Sequence, residues 1–152
     1  MTHMPFLQSD GFCGPASLKI VLSHYGIEKS EKELAKMCGA TRALGCEAKD
    51  IIRAVKKFGL KAKVKDLSTL KDISQALKEK KAIIVEWFSE TDGHFSVVVK
   101  MDKENIYIQD PDLGHMRAMS LIGFRRVWFT FPTEHMRTKN DLILRRMITI
   151  WK

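Results

Sequence analysis

The chain is poor in the residues that tie small secreted proteins together. Its 152 residues hold three cysteines, four prolines and nine glycines, with two tyrosines and three tryptophans. Three thiols cannot all pair within one chain, which argues against a disulfide framework and for a reducing compartment, expected to be the cytoplasm. No internal repeat, low-complexity segment or linker is visible, and no apolar run approaches the ~20 residues that a membrane helix needs. The start, Met1-Thr-His-Met-Pro-Phe6, lacks the charged head, apolar block and small-residue cleavage site of a secretory signal. Acidic residues are the scarcer charge, 18 against 26 basic, for a net +8. The surplus gathers between Lys49 and Lys81, where eleven Lys or Arg meet four Asp or Glu. Such a face can steer an acidic peptide or a nucleic acid. No interleaved aromatics or nucleic-acid motif accompanies it, so it reads as a solvated lysine surface and nucleic acid is not an expected partner.

What is present fits one globular domain over residues 1–152, with 45% apolar and 29% charged residues. A chain of this length buries roughly 68–70% of its unfolded surface. The first half reads as helical. Leu18, Val21, Leu22 and Tyr25 recur at helical spacing up to Gly26. Ser30-Glu-Lys-Glu33 is a capping box for a helix through Met37 and Cys38 that stops at Gly39. Ala48, Ile51, Ile52, Val55 and Phe58 stripe a third helix before Gly59, and Thr69 caps a fourth carrying Leu70, Ile73 and Leu77. The second half turns to strands: an edge strand at 61–65, a central one at 82–88, a hairpin of 95–99 with 105–108, and strands at 127–131 and 142–151, with a short helix at 121–126. Helices followed by an antiparallel sheet give an α+β fold.

The chemistry concentrates at Cys13, in Gln8-Ser-Asp-Gly-Phe-Cys13-Gly-Pro-Ala-Ser17. A thiol attacks only as thiolate, and a helix N-terminus with a nearby imidazolium brings a cysteine from pKa ~8.5 into the range of about 3.5–7.5. Cys13 stands where helix-end N–H groups would stabilise S⁻. That context serves a nucleophile and a small packed hydrophobe equally. A base must come from elsewhere. His24 lies eleven residues along the same helix, about 16 Å away. His3 falls in a tail expected to be loose, and His115 and His135 in polar, loop-like stretches. His94 opens an apolar strand after Asp92-Gly93; alone it reads as a structural histidine, and with Cys13 it becomes the candidate base. Asp110 ends the strand expected to pair with that of His94, and Pro111 stops the ladder there, so Asp110 is preferred to Asp112 as the group that orients the base. The Cys13 N–H and the Gln8 amide are candidate oxyanion donors. Cys38 and Cys46 lack metal-ligand spacing; Cys38 reads as core, and Trp87, Phe88 and Trp128 as core or cleft lining.

Gln8, Cys13-Gly-Pro-Ala-Ser17 with Tyr25-Gly26, Gly93-His94-Phe95 and Ile108-Gln-Asp110-Pro111 with Gly114 together resemble the papain-like cysteine peptidases of the bacteriocin-processing, double-glycine-leader type. Thr41 with Gly45, and Phe58-Gly-Leu60, agree. The resemblance covers residues 6–131, leaving 132–152 as a C-terminal extension expected to form a strand. It implies a papain-like α+β fold and a cysteine peptidase with Cys13 as nucleophile, His94 as base, Asp110 as orienter and Gln8 as oxyanion donor. It implies a peptide or protein substrate, no cofactor and no metal. The chain encodes neither membrane helices nor an ATP-binding cassette and names no transporter partner, so it is expected to be a standalone protein or an excised domain. The same thiol would also serve an acyl transferase, and the same fold a non-catalytic peptide-binding module.

Overall fold

The structure, a computed structural model, describes residues 2–90, 92–132 and 135–152. Three helices come first: α1 (Cys13–His24), α2 (Glu31–Cys38) and α3 (Ala48–Lys57). Their ends follow local chemistry. Ser30 accepts from the Glu33 N–H at the start of α2, and Gly39 closes it in the left-handed conformation. Glu47 and Asp50 form a reciprocal box at α3. Strand β1 (Lys61–Lys65) and helix α4 (Leu70–Lys78) follow, α4 boxed by Thr69 and Asp72.

The main sheet adds β2 (Ala82–Ser89), β3 (Asp92–Met101), β4 (Asn105–Asp110), β5 (His115–Ser120) and β8 (Arg146–Trp151). It has six strands in the order β1-β8-β2-β3-β4-β5, every neighbouring pair antiparallel. Helix α5 (Leu121–Val127) follows β5, and β6 (Phe129–Thr130) pairs with β7 (Ile143–Leu144) in a small second sheet. The fold is α+β, as the sequence suggests, with α1–α3 on one face of the sheet and α4 and α5 on the other. Strand β2 shows why its run, Glu86 apart, is apolar at successive positions from Ala82 to Phe88. Ala82 and Ile84 pack toward α1–α3 with Leu18, Val55 and Val97, while Ile83, Val85 and Trp87 pack toward α4 and α5 with Phe124 and Trp128. A strand buried on both faces has no polar side to alternate.

Four expectations need correction. The stretch from His115, expected as loop, is the edge strand β5. The strand expected at 127–131 shrinks to two residues because α5 runs on to Val127. The stretch 142–151 is two strands broken at Arg145, which takes a positive φ of 48° while its N–H reaches the Trp128 carbonyl at 2.9 Å. The N-terminal segment is anchored rather than loose. The Met4 N–H bonds Ser23 Oγ at 3.1 Å, Gln109 Nε2 donates to the His3 carbonyl at 3.2 Å, and the His3 side chain is buried.

Candidate active site

Helix α1 begins at Cys13 without the devices that finish the other long helices. Its N-cap is Phe12, with no side-chain hydrogen bond to the exposed amides and no acidic residue in the first turn. The positive end of the helix therefore stays free for an anion at Cys13, which is half-buried and carries a free thiol. The preceding loop is fixed from both sides. Ser9 binds Glu31 through its N–H at 2.8 Å and its hydroxyl at 2.6 Å, and the Gln8 N–H donates to the Pro111 carbonyl at 2.8 Å. Gln8 is thus tied to the end of β4. Among the described residues its Oε1 is buried without a partner, and its Nε2 makes a long 3.4 Å contact to the Ser9 carbonyl, at the weak limit of hydrogen-bond geometry.

His94 and Asp110 meet as the hairpin reading expects. His94 Nε2 lies 2.5 Å from Asp110 Oδ1. The register explains it: Val97 on β3 pairs with Gln109 on β4, so Asp110 lies one residue further toward the His94 end. With Nε2 engaged, Nδ1 is the nitrogen left for Cys13. Burial opposes a charge on the ring, but hydrogen bonds to Asp110 and Cys13 outweigh it and push the His94 pKa up to about 9. Asp110 is 1% exposed. Burial works against its charge too, yet the bonds from His94, the Asp112 N–H and Arg117 hold it below the usual carboxylate range. Glycine lets the chain beside Cys13 and beside His94 sit close to its neighbours. A Cβ on Gly14 would overlap Cys46 Sγ, and a Cβ on Gly93 would overlap Thr130 Oγ1.

The other candidates separate from this centre. His24 sits in the last turn of α1, its ring 5.1 Å from that of His3. His115 begins β5 and is exposed, and His135 is exposed as well. Cys38 is core. Cys46 packs beside Gly14, its thiol pushed up by the hydrogen bond with Cys38 and by burial. Among the described residues, no group of three or more His, Cys, Asp or Glu side chains could hold a metal. Two neighbours of the His94–Asp110 pair escape sequence reasoning. Arg117 Nη1 lies 3.3 Å from Asp110 Oδ2, and Trp87, read as core or lining, packs edge-on to the His94 ring at 5.7 Å. The signal for Arg117 was the short Pro111–Gly114 turn, which returns the chain beside β4.

The family model for the Peptidase C39 family matches residues 7–132. The chain belongs to the Peptidase C39 family. It is 32% identical to an uncharacterized protein of Methanothermobacter marburgensis over 111 residues, 72% of each chain. It is also 32% identical to an uncharacterized protein of Methanothermobacter thermautotrophicus over 116 residues, covering 76% of this chain and 75% of that one. Solved structures share the fold. The peptidase domain of Streptococcus ComA, a bi-functional ABC transporter involved in a quorum sensing pathway, superposes with a TM-score of 0.74 at 21% identity, over 98% of both chains. A double glycine motif protease from an AMS/PCAT transporter, solved with its leader peptide, gives 0.70 at 21% identity, over 100% of this chain and 93% of that one. The C39 family model ends at residue 132, yet β8 beyond it is a central strand of the sheet. No described helix of this C39 chain is long and apolar enough to cross a membrane.

Proposed function

We propose that this C39 protein is a cysteine peptidase acting through Cys13, His94 and Asp110, with Gln8 as an oxyanion donor. The observation that carries the reading is the buried His94–Asp110 pair set against a thiol at an uncapped helix start. In this reading the helix end and the imidazolium favour the Cys13 thiolate. The thiolate adds to a peptide carbonyl, and the oxyanion rests on the Cys13 N–H and on the Gln8 amide once it leaves Ser9. Protonated His94 gives its proton to the leaving amine as the C–N bond breaks, leaving a thioester on Cys13. His94, now neutral, takes a proton from water, which attacks the thioester and frees the acid. Asp110 keeps the ring in one tautomer throughout.

The substrate class follows from the family and from the leader-peptide relative: a peptide or protein cut after a leader, with a double-glycine site the first to try. No cofactor or metal enters these steps, and a thiol nucleophile is suited to a reducing compartment such as the cytoplasm. The test is a peptide library containing Gly-Gly sites, incubated with wild type and Cys13→Ala. Cleavage by wild type alone supports the proposal. Peptides bound equally by both and cut by neither would overturn it in favour of a binding module, and transfer of the acyl group to an added amine in place of hydrolysis would make the protein a transferase.

A further inference from the structure

Arg117 lies outside the set that the sequence assigns, and its surroundings are specific. The β4–β5 register pairs Ile108 with Arg117 and Asp110 with His115. Ile108 and Asp110 share a sheet face, so Arg117 stands diagonally across from Asp110 on that face. Its Nη1 reaches Asp110 Oδ2 at 3.3 Å, the oxygen that His94 does not use. Its guanidinium also lies over the Trp87 ring, 5.6 Å from the centroid. Trp87 is fixed by its own Nε1–H, which donates to Ser96 Oγ at 3.0 Å, and it packs edge-on against the His94 imidazole. The contacts close a circuit: Arg117 to Asp110, Asp110 to His94, His94 to Trp87, and Trp87 back to Arg117.

We propose that Arg117 is a positioning residue that holds the Asp110 carboxylate in line with His94 and limits how tightly the imidazolium keeps its proton. The inference rests on the reading of Cys13, His94 and Asp110 as the reacting set. The positioning half is steric. A carboxylate held at Oδ1 by the Asp112 N–H at 3.0 Å still has a free oxygen, and Arg117 takes it. The electrostatic half is a matter of balance. The charged or titratable groups about the ring are Cys13 from α1 and Asp110 from β4, with Arg117 from β5 one step beyond through Asp110. Asp110 alone would bind the imidazolium so firmly that its proton would pass late to a leaving amine. A cation on the far oxygen spreads the carboxylate charge and loosens that grip.

The test follows alkylation of Cys13 by iodoacetate from pH 5 to 10. The anionic reagent is drawn by the imidazolium, so its rate in wild type should fall as His94 loses its proton, near pH 9. In R117M the falling limb should move up by about half to one pH unit, from the charge removed at this separation, and the maximal rate should drop several-fold. R117K should return the limb toward wild type. An NMR titration of the His94 imidazole in wild type and R117M should show the same upward displacement with no alkylation involved. The side chain is 37% exposed on an edge strand, so the fold should survive, and R117Q repeats the measurement should R117M fold poorly. A wild-type limb that neither measurement sees moved in R117M overturns the role of Arg117 and leaves the triad intact. A wild-type profile with no limb that H94A removes overturns the triad, and this inference with it.

Discussion

Two histidines are buried in this molecule, and their surroundings drive them in opposite directions. His94 at the mouth of β3 has the Asp110 carboxylate on Nε2 and Cys13 as a second hydrogen-bond partner, and it holds its proton up to about pH 9. His3 is packed against the end of α1, and among the described residues neither ring nitrogen makes a well-formed hydrogen bond. Burial, with the neighbouring His24 ring adding to it, lowers His3 to about 4 despite a small opposing pull from the Ile20 carbonyl. Both rings lose hydration. Desolvation penalises the charged form in each, and only a partner of opposite charge reverses the outcome. The first region is built to hold charge and the second to exclude it, although relative exposure is nearly the same, 7% for His94 and 5% for His3.

The largest effect comes from breaking the His94 region. His94→Ala should slow alkylation of Cys13 by neutral iodoacetamide at pH 6 by about 100-fold, the scale of a lost acid–base partner; equal rates in the two proteins would remove the ion pair from the account. Asp110→Asn should turn His94 into a second His3. Without the carboxylate the ring keeps its burial and loses its counter-charge, so its NMR titration should fall to or below the ordinary 6.5, with reactivity at neutral pH reduced about tenfold or more.

Stability sharpens the comparison from the other side. The folded pKa of His3 lies below the unfolded value of 6.5, so its contribution is complete above that pH and is lost as pH falls toward 4. Urea melts of wild type should lose about 2 kcal/mol from this group between pH 7 and 5, and His3→Phe should flatten that slope. The folded pKa of His94 lies above its unfolded value, so its contribution is complete below pH 6.5 and is lost as pH rises through 9. Wild type should lose about 2 kcal/mol of this contribution between pH 7 and 9, and His94→Ala should not. The smallest expected effect is at Glu86, which burial pushes up to about 7 and whose Oε1 has no hydrogen bond, Arg146 Nη1 standing 3.7 Å away. Glu86 favours its neutral form in the fold, so its contribution is lost as pH rises through 7. Glu86→Gln should raise stability at pH 8 by about 1 kcal/mol; a decrease there would mean that the Arg146 contact outweighs burial.

Much of the architecture was legible because its signals are local. Ser30, Thr69, Gly39 and Gly59 stop or start helices through hydrogen bonds within four residues, and the apolar run of β2 announces a strand with two buried faces. Strand β5 was not legible. His115-Met-Arg-Ala-Met-Ser120 has no buried residue, four of its six being exposed, and what makes it a strand is its ladder to β4. Missing β5 hid Arg117, since only that register sets it beside Asp110. The anchoring of the N-terminal segment is hidden from the sequence for a similar reason. Its anchors, Ser23 and Gln109, come from elements far along the chain.

The sequence by itself determined the capped helices and the apolar strands of the central hairpin, that one cysteine would stand at a helix start, and which histidine and aspartate would lie at the same end of that hairpin. Those features depend on spacing, capping and turns, all settled between near neighbours. Only the tertiary structure decided the charge each buried group carries. An imidazole or a carboxyl takes its proton affinity from what surrounds it within a few ångströms, and those surroundings are assembled by strand register and helix packing from residues up to a hundred positions apart.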